Sequence, residues 1–300
     1  MLCIFLCKVN GEKRDMQMQM IMDKVTYIYG EGTPEESYAL KNINLQINKG
    51  EFIGLAGHTG SGKSTLVQHL NGLLVPTYGN IYYNGVDIHD GMNKKELRSK
   101  VGLVFQYPEY QLFETTVIKD VAFGPKNMGL PKLEVDMRSF DALKQVGIGE
   151  ELLDASPIEL SGGQKRKVAI AGILAMKPEV MILDEPAAGL DPKGKEEILE
   201  LINRIHKENN TTIIMISHSM EDLAKYADRM IVMNDGAIKM DGKPQEIFQL
   251  EEELNQMGLA VPQVTQVLKA LQKKGCSIDT NAFTIEQVKK NILVAFHNRE

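Results

Sequence analysis

The stretch Gly57-His58-Thr59-Gly60-Ser61-Gly62-Lys63-Ser64-Thr65 constrains this chain more than any other. It fits G-x-x-x-x-G-K-[ST], a glycine-rich turn whose backbone N–H groups surround phosphate oxygens. The pattern carries weight only between a strand and a helix, and both flanks supply that setting. Phe52-Ile53-Gly54-Leu55-Ala56 is an apolar run ahead of it, and Leu66, Val67 and Leu70 follow at helical spacing. Gly57, Gly60 and Gly62 let the chain bend so that successive donors and the helix start point at one anion. Lys63 is placed to reach the β- and γ-phosphates of a nucleotide, Ser64 to offer a hydroxyl to Mg²⁺, and Thr65 to bond a phosphate oxygen. His58, Thr59 and Ser61 complete the cradle.

Four further places carry residues suited to the same nucleotide. Val101-Gly102-Leu103-Val104-Phe105 reads as a buried strand ending at Gln106, whose amide could bind Mg²⁺ or the attacking water and swing with nucleotide state. Val180-Met181-Ile182-Leu183 is a continuous apolar strand that ends in Asp184 and Glu185. An exposed acidic turn does not need such a run before it. Asp184 suits Mg²⁺ and Glu185 suits polarising the water that attacks the γ-phosphate. Thr212 to Ser217 is another buried strand, ending at His218, where a neutral imidazole could meet the γ-phosphate. Leu160-Ser161-Gly162-Gly163-Gln164 precedes an expected helix from Lys165 to Met176, a second anion-binding N-terminus. Upstream, Val25 to Tyr29 and Ile43 to Ile47 alternate as a hairpin. Tyr29, ahead of Tyr27 and Tyr38, is the first choice for stacking on an adenine ring.

Composition excludes several classes. A net charge of −6 argues against nucleic acid as the main partner. Three scattered cysteines, Cys3, Cys7 and Cys276, fit a reducing compartment and no disulfide framework. Leu2 to Cys7 is far shorter than the ~20 apolar residues of a membrane span and lacks a basic leader. Any membrane association is therefore expected to be peripheral, on the cytoplasmic face. Residues 1–20, with Met16, Met18 and Met20, read as a tail, and the fold is expected to begin at Ile21.

Taken together, the phosphate loop, Gln106, the Leu160–Gln164 run, Asp184-Glu185, Gly189-Leu190-Asp191 and His218 resemble the full motif set of an ATP-binding cassette (ABC) ATPase, in order, over roughly 21–248. The resemblance implies an α/β fold: a P-loop NTPase (RecA-like) core, an antiparallel β subdomain and a helical signature-motif subdomain at about 107–165. It implies ATP and Mg²⁺, the latter held by Ser64, Gln106 and Asp184. It also implies a head-to-tail dimer in which Ser161, Gly162, Gly163 and Gln164 contact the partner's ATP and Asp191 joins the two sites. Catalysis then falls to Glu185, His218 and Gln106.

Gln106-Tyr107-Pro108-Glu109-Tyr110-Gln111-Leu112-Phe113-Glu114 and Asp120 to Pro125 are similar to the ATPases of energy-coupling factor transporters, which import vitamins or transition-metal ions. GHTGSGKSTLVQHLNGL and AIAGILAMKPEV look like the second of the two ATPases in that system. This narrower resemblance implies a heterodimer with another ABC ATPase, an integral-membrane coupling subunit and a substrate-binding membrane subunit. Ala187 departs from the threonine usual after Glu-Pro, with a packing effect expected and no loss of hydrolysis. Residues 249–300 read as a small helical extension with a possible dimer contact: Val264, Val267, Leu268 and Leu271 at helical spacing after Pro262, then a helix capped by Thr284 and Gln287 that buries Val288, Ile292, Ala295 and Phe296. The competing reading is a cassette ATPase of DNA repair or translation. It lacks support from a coiled-coil insertion, zinc cysteines, a second cassette or a basic surface. A binding-only cassette would lack Glu185.

Overall fold

The computed structural model describes residues 17–280 and 282–297. Strand β1 (Met18–Tyr29) starts ahead of the boundary expected at Ile21. Gln19 and Met20 are fully buried and Met20 pairs with Ile47, so this part of the expected tail belongs to the sheet. Residues 1–16 of that tail, with Cys3 and Cys7, lie outside the described residues, as does the side chain of Phe296.

Next in the chain come β2 (Ser37–Asn48), β3 (Phe52–Ala56), the phosphate loop and α1 (Lys63–Leu70), then β4 (Tyr78–Tyr83) and β5 (Val86–Asp87). β1, β2, β4 and β5 form a four-stranded antiparallel sheet in the order β2-β1-β4-β5. α2 (Lys94–Lys100) leads into β6 (Val101–Val104). The helical subdomain follows as α3 (Val117–Met128), α4 (Lys132–Gln145) and α5 (Gly162–Leu174). The core resumes with β7 (Val180–Asp184), α6 (Pro192–Asn209), β8 (Thr212–Ile216), α7 (Met220–Tyr226), β9 (Arg229–Asn234) and β10 (Ala237–Gly242).

The second sheet runs β10-β9-β3-β8-β7-β6; all its pairs are parallel except β9 with β10. Its central strands are buried almost throughout, with polar residues only at their ends, because both faces are covered. Alternation along each strand sends successive residues to opposite sides. Phe52, Met181, Leu183, Ile213 and Met215 join the cluster that the helical subdomain and α6 complete. Ile53, Leu55, Val180, Ile182 and Ile214 join the one completed by α1 and the antiparallel sheet.

α5 starts at Gly162, three residues before the expected Lys165. Ser161 and Gln164 form a capping box, so the two glycines make the first helical turn and do not precede it. The C-terminal residues form α8 (Pro244–Ile247), α9 (Glu251–Gln256), α10 (Gln263–Lys273) and α11 (Ile285–His297). They are not a separate layer: Leu254, Leu259, Val261 and Phe283 enter the main core, and the Phe283 ring lies 5.3 Å from that of Phe248. Leu268 and Val288 are buried in a small cluster of their own, against which Val264, Leu271, Ile292 and Ala295 pack. Val267 instead faces solvent, 51% exposed. Thr284 and Gln287 exchange the expected capping bonds.

Candidate functional site

Parallel strands place their carboxyl ends on one edge, where an open α/β sheet binds its ligands. In the order β3-β8-β7-β6 those ends carry the phosphate loop, His218, Asp184-Glu185 and Gln106. Four expected sites far apart in sequence thus line one edge, and contacts join three of them in a crevice: Ser64 with Asp184, and His218 with Glu185.

The loop cannot take side chains at its tight positions. Gly57 (φ +152°) would put a Cβ 2.5 Å from the Met233 carbonyl oxygen, and Gly62 (φ +101°) 2.6 Å from that of Ala39. The backbone is thereby pressed against neighbouring strands. Lys63 folds over the loop: its Nζ donates to the carbonyl oxygens of Gly57 and His58, each at 2.8 Å. Burial lowers its pKa, while Glu185 and Asp184 pull it back up. Ser64 Oγ donates to Asp184 Oδ2 at 3.0 Å. A hydroxyl and a carboxylate in contact are hard oxygen donors of the kind Mg²⁺ takes, so the residues fit that ion.

Glu185 follows Asp184 with φ +50°, in the left-handed region that non-glycine residues rarely occupy. Its amide donates to the Ile216 carbonyl oxygen, which ties the turn to β8. The side chain is 14% exposed, with His218 Nε2 3.5 Å from Oε1. That separation is an electrostatic approach without hydrogen-bond geometry, and Oε1 is a buried acceptor with no hydrogen bond. Burial first, then the neighbouring Asp184 carboxylate, push the Glu185 pKa up to about 7. Burial also raises Asp184, with the Ser64 bond and Lys63 opposing. Burial and then Lys63 lower His218, which keeps its imidazole neutral at pH 7.

Tyr29 lies beside the loop: its hydroxyl is 3.3 Å from Thr65 Oγ1, and its ring is 44% exposed. Tyr27 turns inward and meets His69 edge-on at 4.6 Å. Ser161 and Asp191 are elsewhere. Ser161 Oγ accepts from the Gln164 amide at 3.3 Å, and Asp191 caps α6 by accepting from the Gly194 amide at 3.1 Å. Among the described residues no hydrogen bond joins 161–164 or Asp191 to the chain's own phosphate loop. Ala187 packs half-buried against the main core, in keeping with a packing effect.

Two residues near the crevice escaped the sequence reading. Asn234 ends β9 and places Oδ1 2.8 Å from His58 Nε2, fastening the loop to the β9–β10 turn. Its signal was its place at the end of a buried strand. Arg166, two residues past the signature run, is entirely buried and ties two segments to its own helix. A charged residue on a helix gives no hint of such burial.

Comparison with known proteins agrees with this geometry. Residues 40–188 match the family model described as ABC transporter. An energy-coupling factor transporter ATP-binding protein, EcfA2, of Caldanaerobacter subterraneus subsp. tengcongensis is 56% identical over 92% of this chain and 97% of its own length. The solved structure of cbiO1 from Clostridium perfringens, part of the transporter complex cbiONQ, superposes with a TM-score of 0.72 at 40% identity, over 84% of this chain and 99% of that one. The cassette MJ0796, solved as a post-hydrolysis dimer with ADP and phosphate, has a TM-score of 0.66 at 31% identity, over 75% of this chain and 98% of that one.

Proposed function

The chain belongs to the ABC transporter family of ATPases, and on that premise we propose that it is a motor subunit of an energy-coupling factor importer. In that role it hydrolyses ATP to drive uptake of a vitamin or transition-metal ion through an integral-membrane partner. The observation that carries the reading is the contact between Ser64 and Asp184, with Glu185 beside it, made by residues 120 positions apart. The loop amides and Lys63 bind the β- and γ-phosphates, and Tyr29 stacks on the adenine. Ser64, Asp184 and Gln106 hold Mg²⁺, which supplies charge neutralisation at the phosphates when bound. Glu185, with a pKa near neutrality, accepts a proton from the attacking water, and His218 and Gln106 sense the γ-phosphate.

Ser161 to Gln164 and Asp191 have no place in the chain's own crevice, which supports their serving a second ATPase across a head-to-tail dimer. We assign that partner as a different ABC ATPase. The membrane-coupling subunit docks on a cleft of about 660 Å³ between α2 and the helices α3 and α5. Lys94, Lys95 and Arg98 line one wall, while Leu112, Phe123 and Ile173 give the other its apolar surface. Among the described residues no helix is long and apolar enough to cross a membrane. In the proposed importer the chain works as a peripheral subunit on the cytoplasmic face, with a substrate-binding membrane subunit completing the assembly. Residues 18–248 act as the cassette, its start moved back by the pairing of Met18 and Met20, and 249–300 as an extension that contributes to the dimer.

The test is co-purification with the membrane subunits from the native host, followed by identification of the small molecule they hold. A chain recovered only with ribosomes or DNA, and never with a membrane protein, would defeat the transport reading.

A further inference from the structure

Arg166 has no part in the chemistry above, yet among the described residues it is the largest fully buried side chain, 1% exposed. It projects from the first turns of α5, and all three of its guanidinium nitrogens donate. Nε donates to Glu109 Oε2 at 3.1 Å, and Nη2 donates to both Glu109 oxygens, at 2.7 and 2.9 Å. Nη1 donates to the carbonyl oxygens of Pro186 (3.2 Å) and Ala188 (2.7 Å). Glu109 lies in the short 3-10 turn Pro108–Gln111, which leads from Gln106 to the docking cleft. Pro186 and Ala188 lie in the turn that runs from Glu185 to Asp191. That turn is braced by its own bonds, Ala188 N to Glu185 O at 3.1 Å and Leu190 N to Ala187 O at 3.4 Å.

We propose that Arg166 is a positioning residue that transmits movement of the docking turn to the Glu185–Asp191 turn. This rests on the proposed docking of a membrane subunit at the cleft. The physical reason is the rigidity of the guanidinium. Its donors are fixed in one plane, so the Glu109 carboxylate cannot shift without unpairing the fork or turning the plane. Turning the plane breaks or drags the bonds to Pro186 and Ala188. The guanidinium itself is out of water, so a bond lost from it leaves a buried cation without that partner, at a cost in free energy. A lysine would keep the charge but offer a single point of attachment in place of the fork. The clasp therefore links the surface that meets the membrane subunit to the backbone that carries the catalytic carboxylate and the dimer-joining aspartate. α5 also carries Ser161 at its N-terminus, so the same helix presents the signature residues to the partner.

The experiment uses the full chain assembled with its partner ATPase in lipid nanodiscs, with and without the membrane-coupling subunit, followed by amide hydrogen exchange and ATP turnover. In the wild type, adding the membrane subunit changes exchange in both 107–113 and 186–191, and changes turnover. In Arg166→Lys and in Glu109→Gln the expected result is a response confined to 107–113, with the response at 186–191 and the change in turnover both lost. The double variant should behave as either single one, since both remove the same connection. Should both segments respond in the variants as in the wild type, the clasp does not transmit. A purely structural role would lower protection and the unfolding temperature throughout while leaving the response at 186–191 in place, which also overturns the proposal. If Arg166→Lys does not fold, Glu109→Gln decides the question alone. A wild-type chain in which neither segment responds removes the docking premise, and is told apart by the silence of 107–113.

Discussion

Replacing Glu185 with glutamine should abolish turnover and, in the same protein, raise stability. Glutamine keeps the shape of the side chain and removes its charge. Without a general base the rate should fall by roughly 10²–10⁴-fold, while ATP still binds through the loop and Lys63. The stability effect follows from burial. The carboxyl is held near 7 instead of its usual 4.5. At 1.36 kcal/mol per pH unit, keeping it ionised in the nucleotide-free fold costs about 3 kcal/mol.

The sign is fixed by proton binding. Between the unfolded and folded pKa values the native state binds more protons, so wild-type stability falls as pH rises through that window. The advantage of Glu185→Gln should therefore be near zero at about pH 4.5, grow through the window and be complete above about pH 7. Thermal unfolding without nucleotide, compared at about pH 5 and about pH 8, should show a gain on the order of 5 °C confined mostly to the higher pH. An equal shift at both pH values would refute the electrostatic argument, and turnover close to wild type would refute the catalytic one.

Three other perturbations separate the remaining roles. Lys63→Ala removes a buried cation whose charge-assisted bonds are each worth about 1.5–3 kcal/mol, so ATP affinity in a direct titration should drop roughly 10- to 100-fold; unchanged affinity would count against the loop. Ser161→Arg should spare this chain's own ATP affinity and cripple the partner's site. Mixed with Lys63→Ala it should not restore turnover unless the chain pairs with itself, and ATP-dependent self-association of the wild type, measured alongside, distinguishes the two cases. Phe113→Asp places a charge on a ring that is 63% exposed and stacked edge-on with Phe123 at 4.9 Å beside the cleft. It should reduce co-purification with the membrane subunit with ATP affinity intact, and equal recovery of the complex would argue against docking there.

The sequence determined the parts that rest on local patterns. A glycine-rich loop between an apolar strand and a helix, carboxylates closing an apolar run, and a serine three residues ahead of a glutamine all act over a few residues. Their meaning survives without knowledge of what lies opposite. Even so, local patterns misplace boundaries: α5 begins at Gly162 because the cap reaches back to Ser161, and β1 begins at Met18 because Met20 pairs with Ile47. What only the tertiary structure decided is the set of neighbours. The order β3-β8-β7-β6 does not follow the chain, and it is this order that sets Ser64 against Asp184 and His218 against Glu185. The raised pKa of Glu185 needs both its burial and the adjacent charge, and burial is a property of the packed sheet edge, not of the tripeptide. Arg166 shows the same limit: its residue type argues for solvent, and only the convergence of Glu109, Pro186 and Ala188 supplies the five acceptor contacts that let a guanidinium leave water.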